Sequence, residues 1–239
     1  MVKFKIKIFA DGADFDSIKN LNSKKFISGF TTNPSLMKKA GVKDYKKFAI
    51  KVLSSIKIKP ISFEVFSDDL EIMKNQAREI ASWGKNVYVK IPVTNSKGKK
   101  SFRLIKELSN EGIKLNITAI FTKNQVDEVF KALNPKIKSI ISIFSGRIAD
   151  TGINPDKIIK YSVDKVKNKK NIEVLWASTR EIYNIFQAER LSCQIITVPH
   201  EILKKFNFIG MSLNKLSLDT VNSFLQDSKK AGFKIKINN

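Results

Sequence analysis

The stretch NVYVKIPVT, Asn86 to Thr94, combines two signals that rarely occur together. Val87, Tyr88, Val89, Ile91 and Val93 form a short apolar, β-branched run, the pattern of a strand buried on both faces and therefore of a parallel sheet. Lys90 interrupts it. Lysine is among the residues least often fully buried, and an ammonium taken out of water is costly.

Comparable runs recur on either side. They lie at KIKIFA (5–10), FISGFT (26–31), ISFEVF (61–66), KLNITAIF (114–121), SIISIF (139–144), IEVLWA (172–177) and QIITV (194–198). Helix-like segments separate them. Asp69 opens DLEIMKNQAREIASW and Gly84 closes it, FRLIKELSNEG ends at Gly112, and Pro155 starts PDKIIKYSVDKVK in the first turn, where proline is tolerated. Eight strands alternating with helices predict an α/β protein, a single-domain (β/α)8 TIM barrel over residues 1–239. The segment 217–232, SLDTVNSFLQDSKKAG, reads as a C-terminal amphipathic helix with Leu218, Val221, Phe224 and Leu225 on one side.

Composition narrows the function. The 239 residues are 42% hydrophobic, enough for a sizeable core, and no 18 apolar residues run together, so no membrane span is expected. The N-terminus has no apolar h-region of a signal peptide, and the one cysteine, Cys193, suggests a reducing compartment, so a cytoplasmic location is expected. Cys193 reads as core packing. The net charge of +22 invites a nucleic-acid reading, but only five of 44 basic residues are arginine and the lysines are scattered, so no nucleic-acid partner is expected. Attraction for anionic metabolites follows from the same field. The single histidine, His200, leaves no ligand cluster for a metal and reads as a cap or surface residue, while the dinucleotide and P-loop glycine patterns are missing. Neither metal nor cofactor is expected.

In such a barrel, chemistry gathers at the C-terminal strand ends. Asp11 ends strand one, and Thr31, Thr32 and Asn33 follow strand two. Glu64 and Lys90 lie on strands three and four, and Asn116 and Thr118 share a face of strand five. Ser142 and Arg147 follow on strand six and after it, Ser178 and Arg180 after strand seven. A lysine inside the barrel loses hydration in its charged form, which lowers its pKa. A neutral amine condenses with a ketone to a Schiff base, whose iminium draws electrons from an adjacent carbon–carbon bond. The alternative is a lysine paired with Asp11 or Glu64 only to satisfy the core.

These motifs resemble those of the transaldolase family, in its short-chain branch that includes fructose 6-phosphate aldolase-like enzymes. GFTTNPSLM (29–37), VKIPVT (89–94), LNITAIFT (115–122), ISIFSGRIADTG (141–152) and WASTR (176–180) carry the resemblance, one per strand end. It implies Lys90 as the Schiff-base lysine, Asp11 as the general acid/base, and Glu64 with Thr118 as holders of a catalytic water. It further implies Asn33, Asn116 and Ser142 as contacts to the sugar hydroxyls, and Arg147, Ser178 and Arg180 as a phosphate clamp. Glu64 and Phe144 match the transaldolase branch, where aldolase-type members have Gln and Tyr; Phe144 has no hydroxyl to protonate a carbanionic intermediate. Asp11 in ADGAD and Ile143 where proline is common depart from better-known members and leave the acceptor and sugar length open. The implied partners are sugar-phosphate substrates and further copies of the chain, in a homo-oligomeric ring of five or ten.

Overall fold

The computed structural model describes residues 3–236. Eight parallel strands close into a barrel in sequence order, with β1 hydrogen-bonded to β8. Strand β1 (Lys7–Asp11) leads to α1 (Phe15–Asn22), and β2 (Ile27–Thr31) to α2 (Pro34–Lys39) and α3 (Tyr45–Ser55). Then β3 (Ile61–Glu64) leads to α4 (Leu70–Ser82), β4 (Val87–Pro92) to α5 (Phe102–Asn110), and β5 (Leu115–Ile120) to α6 (Lys123–Ala132). Finally β6 (Ser139–Ile143) leads to α7 (Ser145–Asp150) and α8 (Asp156–Val166), β7 (Ile172–Trp176) to α9 (Tyr183–Arg190), and β8 (Ile195–Pro199) to α10 (His200–Leu203). The eight strands read from the sequence are all present, and the fold is the expected (β/α)8 barrel.

Strand composition explains the burial. Residues Val87 to Ile91 of β4 are all buried, because helices cover the outer face and the barrel interior covers the other. Short polar side chains set the helix starts. Asp14 accepts from the Ser17 amide, Asp44 from Lys47, and Asp69 from both Glu71 and Ile72. Thr122 and Gln125 form a reciprocal capping box at α6.

Several helix ends differ from the sequence reading. Helix α4 stops at Ser82 with Trp83 as its cap; the Gly84 carbonyl instead accepts from Val87 as β4 begins. Pro155 is the residue before α8 rather than inside its first turn.

The chain divides into two compact units, Phe4–Leu203 and Lys204–Asn239, the latter together with residues 1–3. The first is the barrel. The second contains a 3-10 turn, Lys204–Phe208, and α11 (Leu213–Ala231). Helix α11 starts four residues before the expected Ser217, capped by Ser212, whose hydroxyl accepts from Lys215, and it ends at Gly232 with φ 68°. Among the described residues no helix is long and apolar enough to cross a membrane.

Candidate active site

Alternation along the strands brings the sequence-derived residues to one end of the barrel. Asp11, Asn33, Lys90, Asn116, Ser142 and Phe144 line a cavity of about 190 Å³ at the C-terminal strand ends. Arg147, Ser178 and Arg180 line it as well, with Leu175 and Ala177 as an apolar wall. Glu64 and Thr118 are not among its lining residues.

Lys90 is 7% exposed and faces inward. Its Nζ donates to the Thr32 carbonyl at 3.2 Å and lies 3.3 Å from Glu64 Oε2. The pairing follows from the sheet register, which sets Glu64 of β3 directly beside Lys90 of β4. Of the two carboxylates that the sequence offers as partners for this amine, Glu64 is the one within ion-pair distance, and the Thr32 carbonyl shares its surroundings. Glu64 is held through its main chain, where the Tyr45 hydroxyl donates to its carbonyl and accepts from its amide, both at 2.8 Å. Burial raises the Tyr45 pKa far above its ordinary value, so the phenol stays protonated and can donate.

Asp11 occupies the opposite wall. Thr31 Oγ1 donates to Asp11 Oδ1 at 2.6 Å and also contacts Thr197 Oγ1 at 2.5 Å, while Thr179 Oγ1 donates to the Thr197 carbonyl at 2.7 Å. Burial pushes the Asp11 carboxyl above the usual carboxylate range; the Lys90 charge, the Thr31 hydrogen bond and His200 act in the other direction without cancelling it. A folded chain that holds this proton to higher pH than the unfolded chain loses stability as pH rises from the ordinary carboxylate value of about 4. Asp11→Asn, which keeps an oxygen for Thr31, removes that loss. The variant is expected to melt above the parent at neutral pH, the gap closing as pH falls toward 4. Thermal melts across pH measure it, and a variant less stable than the parent at pH 7 contradicts the assignment.

A buried polar chain joins β6, β5 and β3. Ser142 Oγ donates to Asn116 Oδ1 at 2.6 Å and Asn116 Nδ2 donates to Ser62 Oγ at 3.0 Å, so each amide and hydroxyl interacts without solvent. Asn33 has a double position: its Oδ1 caps α2 by accepting from Leu36, and the residue still lines the cavity. Thr118 is 2% exposed and its Oγ1 has no hydrogen-bond partner among the described residues; it does not bond Glu64.

The outer edge is cationic. Arg180 bonds Asp150 through Nε at 3.1 Å and also through Nη2. The Arg147 guanidinium lies 5.2 Å over the Phe144 ring, which in turn packs on Phe121. Both arginines are solvent-exposed, so the Arg180–Asp150 pair contributes little to stability. Gly146 makes this edge possible: a Cβ there would lie 1.6 Å from the Ser178 carbonyl oxygen. Ser178 itself has φ 63°, in the left-handed region.

Three features escaped the sequence reading. Thr197, Ser62 and Tyr45 support the site, and the first two sit at inward alternate positions of their strands, a signal the sequence did carry. His200, read from the sequence as a cap or surface residue, is half-buried and is the first residue of α10, and a Cβ added at Gly12 would lie 2.5 Å from its ring. Cys193 is a core residue as expected, its thiol donating to the Val174 and Ile195 carbonyls and pushed by burial to a pKa of about 12.

The barrel thus gathers an enclosed lysine, two carboxylates and an arginine edge at its C-terminal end. The chain matches the family model described as Transaldolase/Fructose-6-phosphate aldolase over residues 8–238, and it belongs to that family. It is 38% identical over 231 residues to a protein of Thermoanaerobacter sp. (strain X514) named "Probable transaldolase", covering 96% of this chain and 100% of that one. A protein of the same name from Nitrosopumilus maritimus is 33% identical, over 94% of this chain and 96% of its own length. Among solved structures, N-acetylneuraminate lyase from Mycoplasma synoviae superposes with a TM-score of 0.56 at 11% identity, covering 95% of this chain and 83% of that one. That likeness concerns the fold alone.

Proposed function

We propose that the chain is a transaldolase that moves a dihydroxyacetone unit from a ketose phosphate, such as fructose 6-phosphate or sedoheptulose 7-phosphate, to an aldose phosphate through a Schiff base on Lys90. The observation that carries this reading is the enclosed Lys90 amine, 3.3 Å from Glu64 and lining the same cavity as Asp11. Lys90 Nζ adds to the ketose carbonyl carbon, and Glu64 is placed to take the proton that the amine sheds. The carbinolamine loses its hydroxyl as water and leaves an iminium. Asp11 takes the proton of the hydroxyl two carbons away, the carbon–carbon bond between them breaks, and its electron pair passes to the iminium as an enamine while an aldose phosphate leaves. The enamine adds to the incoming aldehyde, Asp11 returns the proton to the new hydroxyl, and water hydrolyses the iminium to release product.

In this reading Thr118, with its unpartnered hydroxyl, and Glu64 hold the water used in forming and hydrolysing the imine. Asn33, Asn116 and Ser142 contact the three-carbon unit. Phe144 offers no proton to the enamine, which favours its retention for an acceptor over release of dihydroxyacetone. Incubation with fructose 6-phosphate followed by borohydride reduction is expected to place a mass adduct on Lys90. Little free dihydroxyacetone should appear with or without acceptor, and sedoheptulose 7-phosphate should form only when erythrose 4-phosphate is supplied. No adduct removes the Schiff-base reading; dihydroxyacetone accumulating without acceptor converts it to an aldolase.

Arg147, Ser178 and Arg180 form the phosphate end, with Arg180 exchanging Asp150 for the substrate. Charge-assisted bonds of this kind contribute about 1.5–3 kcal/mol. Arg180→Ala is thus expected to raise KM for a phosphorylated donor roughly 10- to 100-fold, with a smaller effect on kcat. Steady-state kinetics should show an unphosphorylated donor nearly unaffected. The same proposal includes a homo-oligomer in which the exposed Leu218, Val221, Phe224 and Leu225 of α11 meet a second copy. Light scattering that finds only monomers removes this part.

A further inference from the structure

The opposite end of the barrel holds a second and larger cavity, about 660 Å³, that shares no lining residue with the first. Six lysines border it: Lys7, Lys57, Lys85, Lys114, Lys138 and Lys170. They arrive from different places, Lys7 on β1 and the others in the connections that enter β3, β4, β5, β6 and β7. Glu173 is the one carboxylate in the lining and is engaged by Lys7 at 2.7 Å. Among the described residues none of the other five lysines forms an ion pair.

Like charges drawn together are unfavourable unless something offsets them. The effect is visible at Lys114, whose pKa is lowered first by burial and then by the charge of Lys138. Attraction to helix C-termini does not explain the arrangement, because that field fades within the last turn. Lys57 lies two residues beyond Ser55 of α3, and Lys138 six beyond Ala132 of α6. They converge on one mouth instead.

The floor of that mouth is apolar. Phe9, Tyr88 and Ile140 belong to the packed layer that crosses the barrel interior, and Leu175 and Ala177 of the same layer face the C-terminal cavity. The layer separates the two ends.

We propose that this N-terminal mouth binds a compact polyphosphate anion. A single phosphate uses one or two ammonium groups, whereas five lysines without an ion-pair partner among the described residues, Lys114 also donating to the Lys85 carbonyl, match several linked phosphates around a rim. Lysine suits such a ligand because it acts as a point charge and does not demand the planar geometry of an arginine fork. The apolar floor is where a nucleobase would rest, so nucleoside triphosphate and inorganic tripolyphosphate are the two sources of this chemistry.

Calorimetry of the full chain with tripolyphosphate and, separately, with adenosine triphosphate tests the site. One-to-one binding that weakens as ionic strength rises is expected. The triple variant Lys85→Ala/Lys138→Ala/Lys170→Ala should lose at least about tenfold in affinity, equivalent to about 1.4 kcal/mol. The charge reversal Lys138→Glu should weaken it as a single change, which keeps the test open if the triple variant folds poorly. Arg147→Ala/Arg180→Ala, at the other end, should leave it unchanged. Tighter binding of adenosine triphosphate assigns the floor to the base, and equal binding assigns the site to the phosphate chain alone. No heat with either probe, undiminished binding in the lysine variants, or an equal loss in the arginine variant overturns the proposal.

Discussion

Replacing Lys90 with methionine is expected to lower kcat/KM by about 10⁴-fold and to abolish borohydride-dependent labelling, while circular dichroism shows an intact barrel. Methionine keeps most of the volume and fills irregular space, so no large cavity opens in the interior. What it leaves behind is Glu64, whose side chain is 16% exposed, with its cationic neighbour gone. Removing one member of a buried pair can cost about 3–5 kcal/mol, much of it from the stranded charge. The double variant Lys90→Met/Glu64→Gln separates the two consequences: it should recover stability and stay inactive. A Lys90→Met protein with more than about a tenth of the parental rate would place the reacting amine elsewhere, since covalent catalysis cannot survive loss of its nucleophile.

The second large effect is expected at Gly146. An alanine Cβ would fall 1.6 Å from the carbonyl oxygen of Ser178 and 2.8 Å from its carbonyl carbon. Neither neighbour is a flexible side-chain tip, so the main chain after β7 has to move. That segment carries Ser178, already in the left-handed region, and Arg180, whose Cγ would lie 3.1 Å from the same Cβ. Overpacking against backbone costs roughly 3 kcal/mol. In a chain of this size, Gly146→Ala should therefore lower Tm by roughly 6–12 °C. Because the displaced loop is also the proposed phosphate end, KM for phosphorylated donors should rise together with the loss of stability. A Tm within a degree of the parent would show that the two loops yield without strain.

Lys90 was legible from local pattern because a polar residue in a β-branched run has few innocent explanations. The eight strands and the Asp69 cap were legible for the same reason, each resting on residues close in sequence. Contacts made by closing the barrel were not. The Thr31–Thr197 contact joins residues 166 apart, and nothing near either one signals the other. The Glu64–Lys90 pair was one of two partnerships the sequence offered, and the register of two neighbouring strands, which a periodicity of two leaves undetermined, makes it. At α11 the difficulty was different. Ser212 and Ser217 are equally good caps, and Leu213 is 80% exposed, so no buried face marks the true start. The lysines of the N-terminal mouth looked scattered because each lies at the start of a different strand or just before it; only the closed ring of strands gathers them.

Cys193 gives the barrel a built-in reporter of its own opening. With its sulfur buried and its thiolate disfavoured, a maleimide or disulfide reagent reaches it during local opening of the turn between α9 and β8, where the thiol donates to the Val174 and Ile195 carbonyls. The labelling rate of a single native residue thus reads out breathing of the turn that leads into the last strand of the cylinder, with no engineered probe.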